Sequence, residues 1–479
     1  MISRASTYEP ADRRSPVTGH VFAATGAIAL VVVMARIASG DGGPLALALL
    51  VAGLGGVLVF LKPEIGVLVL TTTFFVKYPG VLGGSGLLTL NSVLGFILVG
   101  QLLARAAHDR RLEFLEVPQV KLLLLIGAVV AVNLLLVESP PLPLDVPARH
   151  DMTSNRIYDL VSKTLFVAFV VTFVRTRGQL LALAACVVAC TLVTAPAAAW
   201  TALTAEGKIE AIRASSDGSN ANRLAFVSVF ALAIIGHAVL TVRSNAARVL
   251  GGLAIAVLVL TVVLTASRSG ALGLVILALA LMTRARVRLR TRVLCVAALV
   301  VITVLVLAVV PAAFVDRLTN FNTEADVGAS TSLAGRANLA SIALRMAIEH
   351  PFLGVGYGSF RLATFEGGVP GVTRDPHNSY LLALAEGGLV LFVPFAILFW
   401  VTWRQLSAMR RLAAERPVPG LGWLVEAVQT VFALLLFFSL FADLWQAVYL
   451  FLVIGMAASM RRLYAEAAPA AVPAPARVA

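Results

Sequence analysis

Arg268, Arg336 and His377 are residues that could together stabilise a leaving anion and move a proton. Arg268 stands in Thr265-Ala266-Ser267-Arg268-Ser269-Gly270, a turn of a few residues between two apolar runs. An arginine there is costly unless it reaches an interface or meets an anion. It either snorkels to lipid headgroups or offers its planar fork of donors to a phosphate or pyrophosphate. Arg336 belongs to Gly335–Glu349, where Leu339, Ile342, Ala343 and Met346 recur at helical spacing and His350-Pro351 ends the pattern. On that helix Arg336 falls beside the apolar face and Arg345 opposite it. Arg336 is therefore expected to point toward protein or membrane, and Arg345 toward water.

His377 occupies Asp375-Pro376-His377-Asn378-Ser379-Tyr380, immediately before an apolar run. Alone, such a histidine reads as a structural hydrogen bonder. Beside an anion site it becomes the side chain best matched to proton transfer near neutral pH. Asn378 suits a helix N-cap. Glu386 follows His377 by about 13 Å of helix; an ionisable group at that depth is functional by default. The alternative is that Gly387-Gly388 leaves it room to bond backbone. Asp159 and Lys163, at i and i+4, are expected to neutralise each other. No Asp-x-Asp, His/Cys cluster or Walker sequence occurs, so neither a metal, a nucleotide nor any other cofactor is expected. Cys186 and Cys190 share one apolar stretch and Cys295 opens another, which argues against a disulfide framework.

The elements that must position these residues are membrane helices. Of the 479 residues, 59% are hydrophobic and 13% charged, against about 25% charged in an ordinary soluble chain. Mean hydropathy is +0.93. The net charge of +13 does not point to nucleic acid, because the 38 basic residues are scattered among loops between apolar runs. Runs long enough for a bilayer, about 20 residues each, fall at 20–39, 44–61, 64–77, 88–106, 120–137, 157–174, 179–203, 223–242, 247–266, 269–283, 293–312, 378–402, 423–441 and 444–460. The third and tenth are short, so the expectation is an all-α polytopic membrane protein with 12–14 transmembrane helices. With the N-terminus inside, 24 of the 38 basic residues lie in cytoplasmic segments, which predicts that both termini are cytoplasmic. The alternating arginines Arg284 to Arg292 read as a topology anchor that meets anionic lipid.

The expected organisation is a cytoplasmic tail at 1–19, helices over 20–312, and a large external loop at 313–377 carrying short amphipathic helices. Further helices follow over 378–460, then a disordered cytoplasmic tail at 461–479. The usual sequence pointers to a transporter, repeats and paired broken helices, are weak.

Several stretches carry a resemblance to a known superfamily. They are Gly335-Arg336, then Ala347-Ile348-Glu349-His350-Pro351-Phe352-Leu353-Gly354-Val355-Gly356-Tyr357-Gly358-Ser359-Phe360, then His377-Asn378-Ser379-Tyr380-Leu381 and Glu386-Gly387-Gly388-Leu389. Asp217-Gly218-Ser219-Asn220 and Ser267-Arg268-Ser269-Gly270 stand upstream. Over about 205–395 this set, in order and spacing, resembles the O-antigen ligase and O-antigen polymerase superfamily. An aromatic usual four residues after the loop arginine is here Ala340, which bears on substrate fit more than on chemistry. The resemblance implies a metal-independent GT-C glycosyltransferase at the outer face of the bacterial inner membrane. Its donor would be a glycan linked to undecaprenyl pyrophosphate. Its acceptor would be a hydroxyl of lipid A core, of another carrier-linked glycan, or of a protein. It further implies Arg268 and Arg336 as pyrophosphate ligands and His377 as the residue that activates the acceptor, with Asn220, Asn378 and Glu386 in support. A polyprenyl-lipid transporter or flippase is the reading from another class.

Overall fold

The computed structural model describes residues 55–76, 89–137, 149–204, 213–215, 220–283, 288–319, 333–362, 375–415, 418 and 420–466. Expectations for the N-terminal tail, the span 20–39, most of 44–61, Asp217-Gly218-Ser219, Arg284, Arg286 and the last residues from 467 on lie outside them.

Among the described residues all regular structure is helical. In chain order the helices are α1 (Pro63–Phe75), α2 (Leu90–Asp109), α3 (Pro118–Leu136), α4 (Arg149–Phe173), α5 (Arg177–Thr204), α6 (Ala221–Thr241) and α7 (Asn245–Leu264). There follow α8 (Arg268–Met282), α9 (Leu289–Val309), α10 (Ala312–Thr319), α11 (Leu333–Glu349), α12 (Ser379–Glu415), α13 (Gly422–Phe438) and α14 (Val448–Glu466). Each apolar run expected from 64–77 onward coincides with one of them. Among the described residues eight helices (α2, α3, α5, α6, α7, α9, α12 and α14) are long and apolar enough to cross a bilayer, and α1, α8 and α13 are shorter apolar helices. A helix satisfies its own backbone within the segment, which is why apolar runs of this length adopt it in lipid. The chain is an all-α polytopic membrane protein.

Burial divides these helices into an inner and an outer set. Along α6 and α14 nearly every side chain from Leu224 to Ile235 and from Val448 to Met460 is enclosed. On α9, by contrast, Leu294, Val300, Val301, Val304 and Leu305 all face outward, as expected of a helix with an apolar perimeter in lipid. Phe438 of α13 stacks on Phe226 of α6, with centroids 4.3 Å apart. Gly273 of α8 packs directly on the Phe438 ring, where a Cβ would come within 2.4 Å of it.

Several helices run past their expected spans; α14 continues to Glu466, so residues 461–466, expected in a disordered tail, are helical, with Arg462 donating to the Val171 and Val174 carbonyls (2.7 and 2.8 Å). The run 157–174 begins eight residues earlier, at Arg149, because its polar first turns are helix-competent and Arg156 is anchored to Glu386 and Asp375. The run 378–402 continues to Glu415, so Arg404, Arg410 and Arg411 extend a helix instead of lying in a loop.

Candidate functional site

The Glu386-Gly387-Gly388 and His350–Gly358 motifs meet backbone to backbone. Inside α12 the helix breaks at Gly388, whose φ is 58° and ψ −159°. The segment Pro351–Gly356 uses the groups this break frees. Val355 N–H donates to the Ala385 carbonyl (2.8 Å), Gly356 N–H to Glu386 (3.1 Å), and Leu389 N–H to Pro351 (2.8 Å). A Cβ at Gly388 would sit 2.3 Å from the Phe352 carbonyl group, and one at Gly354 would sit 2.5 Å from the Ala385 oxygen. Both glycines have left-handed backbone, so only glycine fits this contact without strain. Asn133 of α3 clamps the same loop: its amide donates to the Leu353 carbonyl (2.6 Å) and its oxygen accepts from Tyr357 N–H (2.7 Å).

This junction holds a buried charge network. Glu386, fully enclosed, accepts from both Arg156 Nη1 (2.7 Å) and Phe360 N–H (3.2 Å). The other arm of Arg156, Nη2, donates to Asp375 Oδ1 (2.7 Å), and Arg361 Nη2 pairs with Asp375 Oδ2 (2.6 Å). One planar guanidinium thus ties α4 to α12 and to the segment just before His377, a span that a point-charge lysine could not bridge in the same way. Burial acts to raise the Asp375 carboxyl, but Arg156 and Arg361 outweigh it and hold the group below the ordinary carboxylate range.

Beside the network opens a cavity of about 960 Å³. Its polar lining includes Arg156, Arg361, Asp375, His377 and Asp443, together with Asn220, Arg223, Asp159 and Lys163. Its apolar wall comes from α1, α2 and α4, through Leu70, Phe74, Phe96, Val99 and Phe169. Lys163 pairs with Asp159 at 2.8 Å, as the i, i+4 spacing predicts. Arg223 donates to Tyr449 Oη (2.6 Å). Asp443 lies in the turn between α13 and α14; burial first, then Asp375, pushes its carboxyl up to about 8.

The structure brings some of the expected residues together and not others. His377 is on the cavity wall, partly exposed, with left-handed backbone (φ 52°). Asn378 caps α12: its oxygen accepts from Tyr380 N–H (3.0 Å) and Leu381 N–H (3.1 Å). Asn220 reaches the same cavity and caps α6, accepting from Asn222 N–H (2.9 Å). Glu386 bonds both Arg156 and backbone.

Arg268 and Arg336 are not among the residues lining this cavity. Arg268 opens α8 behind the N-cap Ser267, whose Oγ accepts from Gly270 N–H (3.2 Å). Gly270 meets Ala225 of α6 where a Cβ would lie 2.8 Å away, which explains the serine and glycine of that motif. Arg336 is partly buried on α11, and Arg345 is exposed, as the helical wheel predicts.

Arg156, Arg361, Asp375 and Asp443 were not singled out from the sequence. One signal pointed to the arginines: both lie in segments expected outside, where the charge rule disfavours basic residues. Nothing local marks the carboxylates, whose role depends on partners 219 and 14 residues away for Asp375.

No curated protein matches the chain. Residues 253–396 match the family model described as O-antigen ligase, a segment that contains Arg268, Arg336, His377 and Glu386. The likeness to the O-antigen ligase and polymerase superfamily is thereby supported over that stretch, which holds the loop-to-helix junction with Arg361, Asp375 and Glu386, while Arg156 lies outside it.

Proposed function

We propose that the protein transfers a glycan from a polyprenyl-pyrophosphate carrier, undecaprenyl pyrophosphate by family resemblance, to an acceptor hydroxyl at the outer face of the bacterial inner membrane. The observation that carries this reading is the cavity itself. Its lining combines apolar side chains of α1, α2 and α4 with charged and polar side chains that include His377, which suits a donor with a lipid tail and a sugar head. The pyrophosphate gains negative charge as the glycosidic bond breaks, and fixed guanidinium groups stabilise such charge where it develops. Arg268 and Arg336 take that role in this reading. Neither is among the residues that line the cavity. His377 activates the acceptor hydroxyl, a poor nucleophile that needs a partner within hydrogen-bond reach.

Among acceptors, lipid A core is placed first, a second carrier-linked repeat next and a protein hydroxyl third. Deletion of the gene in its own bacterium, with gel separation of lipopolysaccharide and carrier-linked polymer, tests this order. Polymer retained on the carrier indicates a ligase, and single capped repeats indicate a polymerase. An unchanged surface glycan, glycoproteins included, would remove the reading. His377→Asn provides the residue-level test, because Asn tolerates left-handed backbone while lacking the ring. Transfer at the wild-type rate by that variant would take His377 out of the reaction.

A further inference from the structure

One carboxyl on the cavity wall is left without a task by this reading. Asp443 sits in the turn from α13 to α14, and Ser379, two residues after His377, stitches that turn on both sides of it. Ser379 N–H donates to the Ser439 carbonyl (2.8 Å), its Oγ donates to the Ala442 carbonyl (2.7 Å), and the same Oγ accepts from Leu444 N–H (2.7 Å). Trp445, buried, packs edge-on against Tyr357 and Phe395 at 5.6 and 4.9 Å. The carboxyl and the imidazole are thus carried on backbone locked together, and both line one cavity.

Asp443 Oδ1 is shielded from solvent and has no hydrogen-bond partner. This sets it apart from Asp375, which two arginines satisfy. The charges that act on Asp443 are Asp375 and Glu386, of like sign, and Arg156 and Arg361, of opposite sign. His377, the Asp159–Lys163 pair and Arg223 face the same space. An ordinary carboxylate is too weak a base for a sugar hydroxyl near neutral pH. One pushed up to about 8, by burial and then by Asp375, falls where proton transfer is efficient.

We propose that Asp443 takes the proton of the acceptor hydroxyl in the cavity it shares with His377. The proposal rests on the glycosyl-transfer reading and assigns its proton. The hydroxyl O–H bond breaks and the proton passes to the Asp443 carboxylate. The oxygen forms a bond to the anomeric carbon, and the bond from that carbon to the pyrophosphate oxygen breaks, its electron pair leaving on the carrier. Asp443 then returns the proton to water. Activation by His377 takes the form of a hydrogen bond that orients the hydroxyl.

The test uses the full-length protein in nanodiscs, a synthetic polyprenyl-pyrophosphate-linked oligosaccharide as donor, and envelope extract from the deletion strain as acceptor. The wild-type rate should climb with pH and level off above about 8, the pH at which the carboxyl ionises. Asp443→Asn should lower kcat by about 10²–10⁴-fold with donor binding unchanged. Asp443→Glu should keep part of the rate and move the midpoint of the pH profile, while His377→Gln leaves that midpoint in place. A near-normal rate in Asp443→Asn overturns the proposal. So does a midpoint that stays fixed in Asp443→Glu and moves in His377→Gln, a result that decides the matter even where Asp443→Asn fails to fold. Transfer by wild type with either of those results leaves the glycosyl-transfer reading standing and removes Asp443 alone. No transfer by wild type removes both.

Discussion

Removing Arg156 should cost far more than removing an exposed ion pair, and the structure says where the cost arises. Side-chain exposure is 14% for Arg156 and 0% for Glu386. In Arg156→Ala, Asp375 keeps Arg361, but Glu386 keeps only backbone donors, from Phe360 and Gly358, and no cationic partner. A buried charge that loses its partner typically costs about 3–5 kcal/mol, so Arg156→Ala should lose about that much. Glu386→Gln leaves Arg156 bound to Asp375 and should cost less, about 1–3 kcal/mol. Combining the two substitutions removes the orphaned charge, so the double variant should be more stable than Arg156→Ala alone. Arg156→Lys should fall between, because one ammonium cannot reach both carboxylates as the fork does. Equilibrium unfolding in mixed micelles measures all four variants. A loss below about 1 kcal/mol for Arg156→Ala, the range of exposed pairs, would refute the argument. A double variant no more stable than the single would refute it too.

Three further expectations follow from the same geometry. Gly388→Ala combines left-handed backbone with a Cβ 2.3 Å from Phe352, so it should destabilise by more than about 1 kcal/mol; the same unfolding assay would contradict this with a wild-type curve. Asp375 has a folded-state pKa below its ordinary 3.8. Its stabilisation is therefore complete above that value and lost as pH falls through the folded pKa. Asp375→Asn should flatten the acid limb of stability between those points, and an unchanged limb would count against the pairing. Arg268→Lys and Arg336→Lys keep charge but lose the fork, so most transfer should disappear, whereas exposed Arg345→Ala should be silent; near-normal transfer by both lysine variants would reduce those arginines to structural or snorkelling roles.

The membrane helices were legible in the sequence because apolar run length sets them almost alone, whereas α11 was read from amphipathic spacing and α10 was not singled out. Asn378 as a cap and Arg345 as a solvent-facing residue were equally readable, each depending only on local spacing. The break in α12 was only half legible. Gly387-Gly388 marks it, but its cause is the Pro351–Gly356 backbone that docks there, and pairing between segments leaves no local trace. The same holds for Arg156, which serves Glu386 from 230 residues away. A charge rule could have flagged it, since it stands where basic residues are disfavoured, yet no spacing names its partner. His377 was found through its motif, but its left-handed backbone and its nearness to the Asp443 turn depend on Ser379 contacts that only the folded chain reveals.

The most direct test of the central claim is a transfer assay with the purified protein in liposomes that carry no ion gradient. Donor is the synthetic polyprenyl-pyrophosphate-linked oligosaccharide, acceptor is the envelope extract, and products are read by mass spectrometry. The account predicts a new glycosidic bond on the acceptor together with free polyprenyl pyrophosphate, both lost in His377→Asn. Movement of intact donor across the bilayer, with no glycosidic product, would contradict it and point to a lipid transporter instead.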